Sequence, residues 1–220
     1  MDIYEEIRRN ILHGDAKRVK ALVDKALALK YPAESILKDG LILGIDLLSY
    51  KFRTSNVSVP EAMIATRAFN MGLRTVTPYL KNKEKTHDYT AVIGTVEGDL
   101  HDIGKNLVKI YISTLDINVV DLGVDVSKED FAEAVKIYKP QFVMISSLLL
   151  TTVDEIKNVI EELKKQKLRD NVIIFVGGLP VTAELAKEAG ADYYSRDALE
   201  LRNFLEKNME KLVKVKKSNR

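Results

Sequence analysis

The chain has 220 residues, with 34 Lys and Arg against 32 Asp and Glu, and a formal charge of only +2 gives no basis for a nucleic-acid partner. Hydrophobic residues make up 46%, enough for proper cores, which excludes disorder throughout. Having no cysteine excludes disulfides, thiolate catalysis, iron–sulfur ligation and cysteine zinc sites in one step, and fits a cytoplasmic location.

The chain opens on MDIYEEIRRN, acidic and polar and unlike a signal peptide. No apolar run approaches the roughly 18 residues of a membrane span, so no membrane partner is expected. Ile3, Ile7 and Ile11 recur at helical spacing, and Gly14 and Asp15 punctuate that first helix. A second helix runs through Val19, Leu22, Val23, Ala26 and Leu27. Pro32 stands near the start of a third, where its missing N–H is tolerated. That helix continues through Ile36, Leu37, Leu41, Ile45, Leu47 and Leu48; Gly40 and Gly44 lower its propensity but permit close backbone approach. After the polar segment 53–59, Pro60 begins a fourth helix carrying Met63, Ala68, Met71, Leu73 and Val76, with a late break at Pro78. Four such helices with short connections predict a compact bundle. Residues 81–89 (KNKEKTHDY) are charged and lack apolar periodicity, the pattern of a linker.

From Thr90 onward, strands and helices alternate. Strands are expected at 90–96, 117–122, 141–146, 172–176 and, more weakly, 191–194. Helices fit 104–115, 128–138, 153–166, 181–189 and 197–210. Each crossover is long enough for a parallel βαβ unit, and the strands are apolar runs, as when both faces are covered. The expected class is α plus α/β: an N-terminal four-helix bundle in 1–88, linker included, then a flavodoxin- or Rossmann-like doubly wound parallel sheet in 89–220. Ligands of such sheets bind at the carboxyl ends of the strands near a switch point. The last ten residues hold Lys211, Lys214, Lys216, Lys217 and Arg220 with no acid among them, which reads as a solvated tail.

The most unusual segment is EGDLHDIGKN, residues 97–106, which leaves the first strand at its carboxyl end. It lacks the G-x-G-x-x-G of a dinucleotide loop, and Asn106 stands where a phosphate-binding loop needs Ser or Thr for magnesium. His101 is one of three histidines; the others, His13 and His87, fall in the bundle and the linker, so a three-histidine zinc site is not expected. A lone histidine can still ligate a metal that brings its other ligands with it. Such a ligand usually has an acceptor on its other ring nitrogen, and Asp99 is placed to be one. A solvated loop histidine beside an incidental acid reads equally well from the chemistry alone.

The motif Asp99-Leu100-His101-Asp102-Ile103-Gly104 matches the D-x-H-x-x-G loop of corrinoid-binding modules, and its wider context, TVEGDLHDIGKNLV, resembles the methyltransferase branch of that family. Ser146-Ser147-Leu148 and Gly177-Gly178 supply two further family signatures in the expected order. Over roughly residues 1–205 the chain resembles the corrinoid proteins of methyltransferase systems, and is similar to the cap plus cobalamin-binding module of methionine synthase. The resemblance implies cobalamin or a related corrinoid bound base-off/His-on: His101 ligates the cobalt, Asp99 bonds the other imidazole nitrogen, and Thr152 completes a relay. Gly98, Leu100, Asp102, Ile103 and Gly104 would belong to the cofactor loop. Ser146, Leu148 and Leu150 would line the nucleotide slot, and Gly177 and Gly178 would admit the tail. Leu150 stands where the family commonly has threonine; a register beginning at Ser147 restores that threonine as Thr151 but puts Val153 at the relay position. Ser58-Val59-Pro60 lacks the bulky aromatic that shields the upper cobalt face in the methionine synthase cap, which leaves Met63, Phe69 and Met71 as loose candidates.

The function so implied is that of a methyl carrier, not an enzyme on its own. It would accept a methyl group on Co(I) from a methylamine, methanol or aromatic methyl ether through a substrate-specific methyltransferase. A second methyltransferase would take it from methyl-Co(III) to a folate or thiol, and a reductive activase would rescue Co(II). The alternatives are a cobalamin-dependent sensor, the small subunit of a cobalamin mutase, and an α/β module with a degenerate site.

Overall fold

A computed structural model describes residues 2–53, 57–80, 88–113, 115 and 117–218. The expected linker lies, over 81–87, outside the described residues. The chain forms two compact units, Met1–Lys81 and Asn82–Arg220. Among the described residues no helix is long and apolar enough to cross a membrane.

The first unit is helical. Helix α1 (Ile3–Leu12) buries Ile3, Ile7 and Ile11, and α2 (Ala16–Ala28) buries Val19, Leu22, Val23 and Ala26. The chain then turns through α3 (Ala33–Ser35), a π-helical segment (Ile36–Ile42) and α4 (Leu43–Arg53). The sequence predicts one uninterrupted helix here. The difference is a wide π turn over Gly40, which apolar periodicity does not register. Close packing on α1 accompanies it: a Cβ at Gly44 would lie 2.8 Å from Ile11 Cδ1. Helix α5 (Val59–Val76) packs along α2, with Gly72 facing Val19 and Leu41. A Cβ there would stand 2.5 Å from Leu41 Cδ2 and 2.8 Å from Val19 Cγ1. Phe69 is fully enclosed in this core, which removes it as a shielding candidate; Met63 is exposed.

The second unit carries a five-stranded parallel sheet in the order β2-β1-β3-β4-β5. Its strands are β1 (Tyr89–Thr95), β2 (Ile117–Asp121), β3 (Phe142–Ser146), β4 (Ile173–Gly177) and β5 (Tyr193–Tyr194). They alternate with α6 (Ile103–Ile112), α7 (Lys128–Tyr138), α8 (Glu155–Lys165), α9 (Ala183–Ala189) and α10 (Ala198–Ser218). Side chains alternate across each strand, so every strand feeds two cores. Val92, Val143, Ile145 and Ile174 pack with Phe131 of α7 and Ile156 of α8 on one face. Ala91, Ile93, Phe142 and Phe175 pack with Ile112 of α6 and Leu205 of α10 on the other. This double coverage explains why the strands read as continuous apolar runs. Gly94 leaves room for Phe131, whose Cζ would be 2.7 Å from a Cβ at that position.

This strand order makes a doubly wound sheet with its switch point between β1 and β3. The chain leaves β1 toward β2 and later recrosses to β3, so the loops after β1 and β3 diverge and open a crevice between them. The EGDLHDIGKN segment and the SSLLLTT segment are those two loops.

Candidate corrinoid site

The loop after β1 turns sharply, with the Asp99 N–H donating to Val96 O at 3.2 Å and Gly98 in the left-handed region at φ +77°. This turn drives the Asp99 side chain into the protein, where it is fully buried. A buried carboxylate must be satisfied. Oδ1 accepts the His101 backbone N–H at 3.0 Å and stands 2.7 Å from His101 Nδ1. Oδ2 accepts the Leu148 N–H at 2.6 Å and the Thr152 hydroxyl at 3.3 Å. Burial pushes the Asp99 carboxyl up, but the Leu148 and His101 hydrogen bonds outweigh it and hold the group below the usual carboxylate range.

Asp99 is therefore an ionised acceptor, and the proton on the shared His101–Asp99 contact belongs to Nδ1. That leaves Nε2 available to an outside partner, on a side chain 51% exposed. The His101 carbonyl is held in turn by the Thr95 hydroxyl at 3.0 Å. Asp102 stands at the N-cap position of α6 without a side-chain cap bond and accepts Asn106 Nδ2 at 2.9 Å; Ile103 is partly buried at the first position of that helix. At Gly104 a Cβ would meet no protein atom within 4 Å, so the space beside it is open.

On the β3 side, Ser146 ends the strand, pairs with Thr95 and Gly177, and its carbonyl accepts the Val96 N–H at 3.0 Å. Leu148 and Leu150 are exposed, the latter at 81%. Thr152, rather than Thr151, reaches Asp99, while Val153 lies in the core beneath α8. Gly177 and Gly178 have reasons of their own inside the protein. A Cβ at Gly177 would sit 2.9 Å from Ser195 O; at Gly178, with φ +132°, it would collide with the Ser147 carbonyl. Both signatures thus meet at one point, with the β4 loop seated against the β3 loop.

Two contributors, Ser147 and Lys105, lie inside the matched motifs without an assigned role there, and a third, Asp125, lies outside them. Ser147 is fully buried, and its hydroxyl is 3.0 Å from the Thr152 hydroxyl. Lys105 is only 3% exposed in the first turn of α6 and meets Asp121 Oδ1 at 2.6 Å. Asp125, after β2, contacts Gly98 and Asp99. The pairing of β2 with β1 brings Asp121 and Asp125 to the site, which a local motif cannot reveal. Two adjacent serines signal that one of them turns inward, but not which.

A cobalt corrinoid fits these residues on chemical grounds. Among the described residues no three potential ligating side chains cluster, so a metal at His101 Nε2 must bring most of its ligands. Leu100 beside His101, Leu148 and Leu150 in the loop after β3 and Leu179 in the loop after β4 are exposed apolar side chains, Leu100 at 71% and Leu179 at 66%, of the kind suited to a large, partly apolar ring.

Comparison with known proteins agrees. Residues 89–202 match the B12 binding domain family, and residues 3–77 match a second family, likewise a B12 binding domain. The chain is 35% identical over 199 residues to the trimethylamine corrinoid protein of Methanosarcina barkeri, covering 90% of this chain and 92% of the relative. It is 33% identical over 203 residues to monomethylamine corrinoid protein 2 of the same organism, covering 90% and 94%. The solved structure of the Methanosarcina barkeri monomethylamine corrinoid protein superposes with a TM-score of 0.84 at 31% identity, over 92% of this chain and 96% of that one. With both units matched and the His101 loop at the sheet's switch point, the chain belongs to the family of corrinoid-binding proteins that includes the methylamine corrinoid proteins.

Proposed function

We propose that this protein is a methyl carrier for a methylamine- or methanol-type methyltransferase system, binding its corrinoid base-off/His-on through His101 Nε2. The observation that carries the ligation is the 2.7 Å contact of His101 Nδ1 with buried Asp99, on a side chain that is half exposed. When bound, the corrinoid's cobalt supplies the capacity to take up and release a methyl group. Asp99 holds the ring in the Nδ1–H tautomer and makes Nε2 a stronger donor. The Thr152 hydroxyl reaches both the Asp99 carboxylate and the Leu149 carbonyl at 3.3 Å and pairs with the Ser147 hydroxyl at 3.0 Å, so that charge change at the ring is shared with buried hydroxyls. Ser146, Leu148 and Leu150, with the loop residues Gly98, Leu100, Asp102, Ile103 and Gly104, hold the remainder of the cofactor. The Gly177-Gly178 turn completes the slot for its nucleotide tail.

In this reading residues 1–88 act as cap and linker, and residues 89–220 bind the corrinoid. The chain is a carrier and not an enzyme by itself. Its partners are a substrate-specific methyltransferase, a second methyltransferase that delivers to a folate or thiol, and a reductive activase, all in the cytoplasm. Relatives named for trimethylamine and for monomethylamine stand at nearly equal similarity, so choice of donor belongs to the partner enzyme. The test is reconstitution with cobalamin of wild type and His101→Ala. A base-off/His-on visible spectrum lost in the variant is the expected result; a spectrum indifferent to the substitution would refute the ligation.

A further inference from the structure

The connection between β2 and α7 continues to pair with the carboxyl end of β1 after β2 itself has ended. The Leu122 N–H donates to Ile93 O at 2.8 Å, Thr95 N–H to Gly123 O at 3.1 Å, and Val126 N–H to Thr95 O at 3.0 Å. Beyond these, Asp125 makes two bonds to the His101 loop itself. Its backbone N–H donates to Asp99 O at 3.0 Å, and its Oδ1 accepts the Gly98 N–H at 2.7 Å. Asp125 does this at φ +55°, in the left-handed region, which disfavours side chains but penalises Asp and Asn least. At the other end of the connection, Asp121 accepts Lys105 Nζ at 2.6 Å and Lys109 Nζ at 3.1 Å, both on α6. One segment thus grips the His101 loop on both sides, upstream at Gly98 and Asp99 and downstream at Lys105.

We propose that Asp125 is a positioning residue for the His101 ligand: by fixing the backbone of Gly98 and Asp99 it sets where the Asp99 carboxylate stands, and through it the orientation of the imidazole. The bond to Gly98 is charge-assisted, and the two bonds together define a short closed ring of backbone and carboxylate. The role of Asp125 as a cobalt-tuning residue rests on the proposed His101 ligation; its role as a backbone clamp does not.

Three substitutions separate the contributions. Asp125→Gly keeps the left-handed backbone and removes the acceptor, Asp125→Asn keeps both, and Asp125→Ala loses both. In the protein without corrinoid, Gly98 amide hydrogen exchange should accelerate roughly tenfold in Asp125→Gly and stay near wild type in Asp125→Asn. In the cobalamin-loaded protein, Asp125→Gly should release corrinoid roughly threefold to tenfold faster, and its Co(II)/Co(I) midpoint should move toward that of His101→Ala, again with rescue by Asp125→Asn. Asp125→Ala should be at least as impaired as Asp125→Gly. Unchanged Gly98 exchange in Asp125→Gly, or equal damage in Asp125→Gly and Asp125→Asn, overturns the clamp. If His101→Ala itself leaves the spectrum and midpoint unchanged, the ligation fails, and the exchange measurement still decides whether Asp125 holds the loop.

Discussion

Asp99 has two carboxylate oxygens and four donors aimed at them: the backbone N–H groups of His101 and Leu148, His101 Nδ1 and the Thr152 hydroxyl. Removing one of these donors should be felt at the others. Thr152→Val keeps the shape and deletes the hydroxyl; stability should fall by about 1 kcal/mol in urea denaturation, and Thr152→Ser should restore it. Gly178→Ala should be more severe, because φ +132° and the Ser147 carbonyl together leave no place for a methyl group. A loss of about 3 kcal/mol or failure to accumulate folded protein is expected, measured by thermal unfolding monitored by circular dichroism. At this scale much of the site could be read from the sequence, because D-x-H-x-x-G keeps Asp99 and His101 two residues apart in one turn. The partnership of Asp99 with Thr152 spans 53 positions, and only the resemblance pointed to it. Choosing between the Ser146 and Ser147 registers required knowing which side chain turns inward, which depends on the exit angle of β3 and on Gly178 packing beneath it.

Among the elements, α6 and the loop before it depend on β2. Lys105 is enclosed with Asp121, and an ion pair with one partner this buried is costly to break from one side. Lys105→Met should lower stability by about 3 kcal/mol, read from the denaturation midpoint, whereas replacing both partners with apolar residues should cost less. Burial pushes the Asp121 carboxyl up, but hydrogen bonds from Lys105, the Gly123 N–H and Lys109 outweigh it and hold it below the usual carboxylate range. A lowered folded-state value means the contribution is fully present above the unfolded carboxylate range, near pH about 4, and is lost as the pH falls below it. The difference in stability between wild type and Asp121→Asn should therefore shrink on going from pH 6 to acid conditions, and a constant difference would contradict the assignment. The sequence predicted the strands and helices of the sheet unit because burial on both faces leaves continuous apolar runs, except that α10 runs on to Ser218 and buries Val213 where the run of lysines read as a solvated tail. It did not predict the π segment Ile36–Ile42, since one added residue per turn alters the hydrogen bonding while Ile36, Leu37 and Leu41 remain buried.

At the scale of the whole molecule, each unit buries a core of its own. Ile7, Ile11, Leu41 and Phe69 are enclosed in the first, and the two faces of the sheet are covered in the second. Every residue assigned to the corrinoid belongs to residues 98–178, within the second unit. A chain comprising residues 88–220 should fold and retain His101-dependent corrinoid binding, while losing whatever protection residues 1–88 give the cofactor; gel filtration and absorption spectra of that fragment check this.

In the proposed ligation His101 Nε2 binds the cobalt of a corrinoid while Asp99 holds the opposite nitrogen. Electron paramagnetic resonance of the Co(II) protein reads the axial nitrogen itself, with histidine labelled by the heavier nitrogen isotope against the unlabelled protein. A single axial nitrogen whose hyperfine pattern changes from triplet to doublet on labelling, and disappears in His101→Ala, is the predicted result. A pattern unaffected by the label would show that the cofactor's own base, or no nitrogen at all, occupies the position assigned to His101.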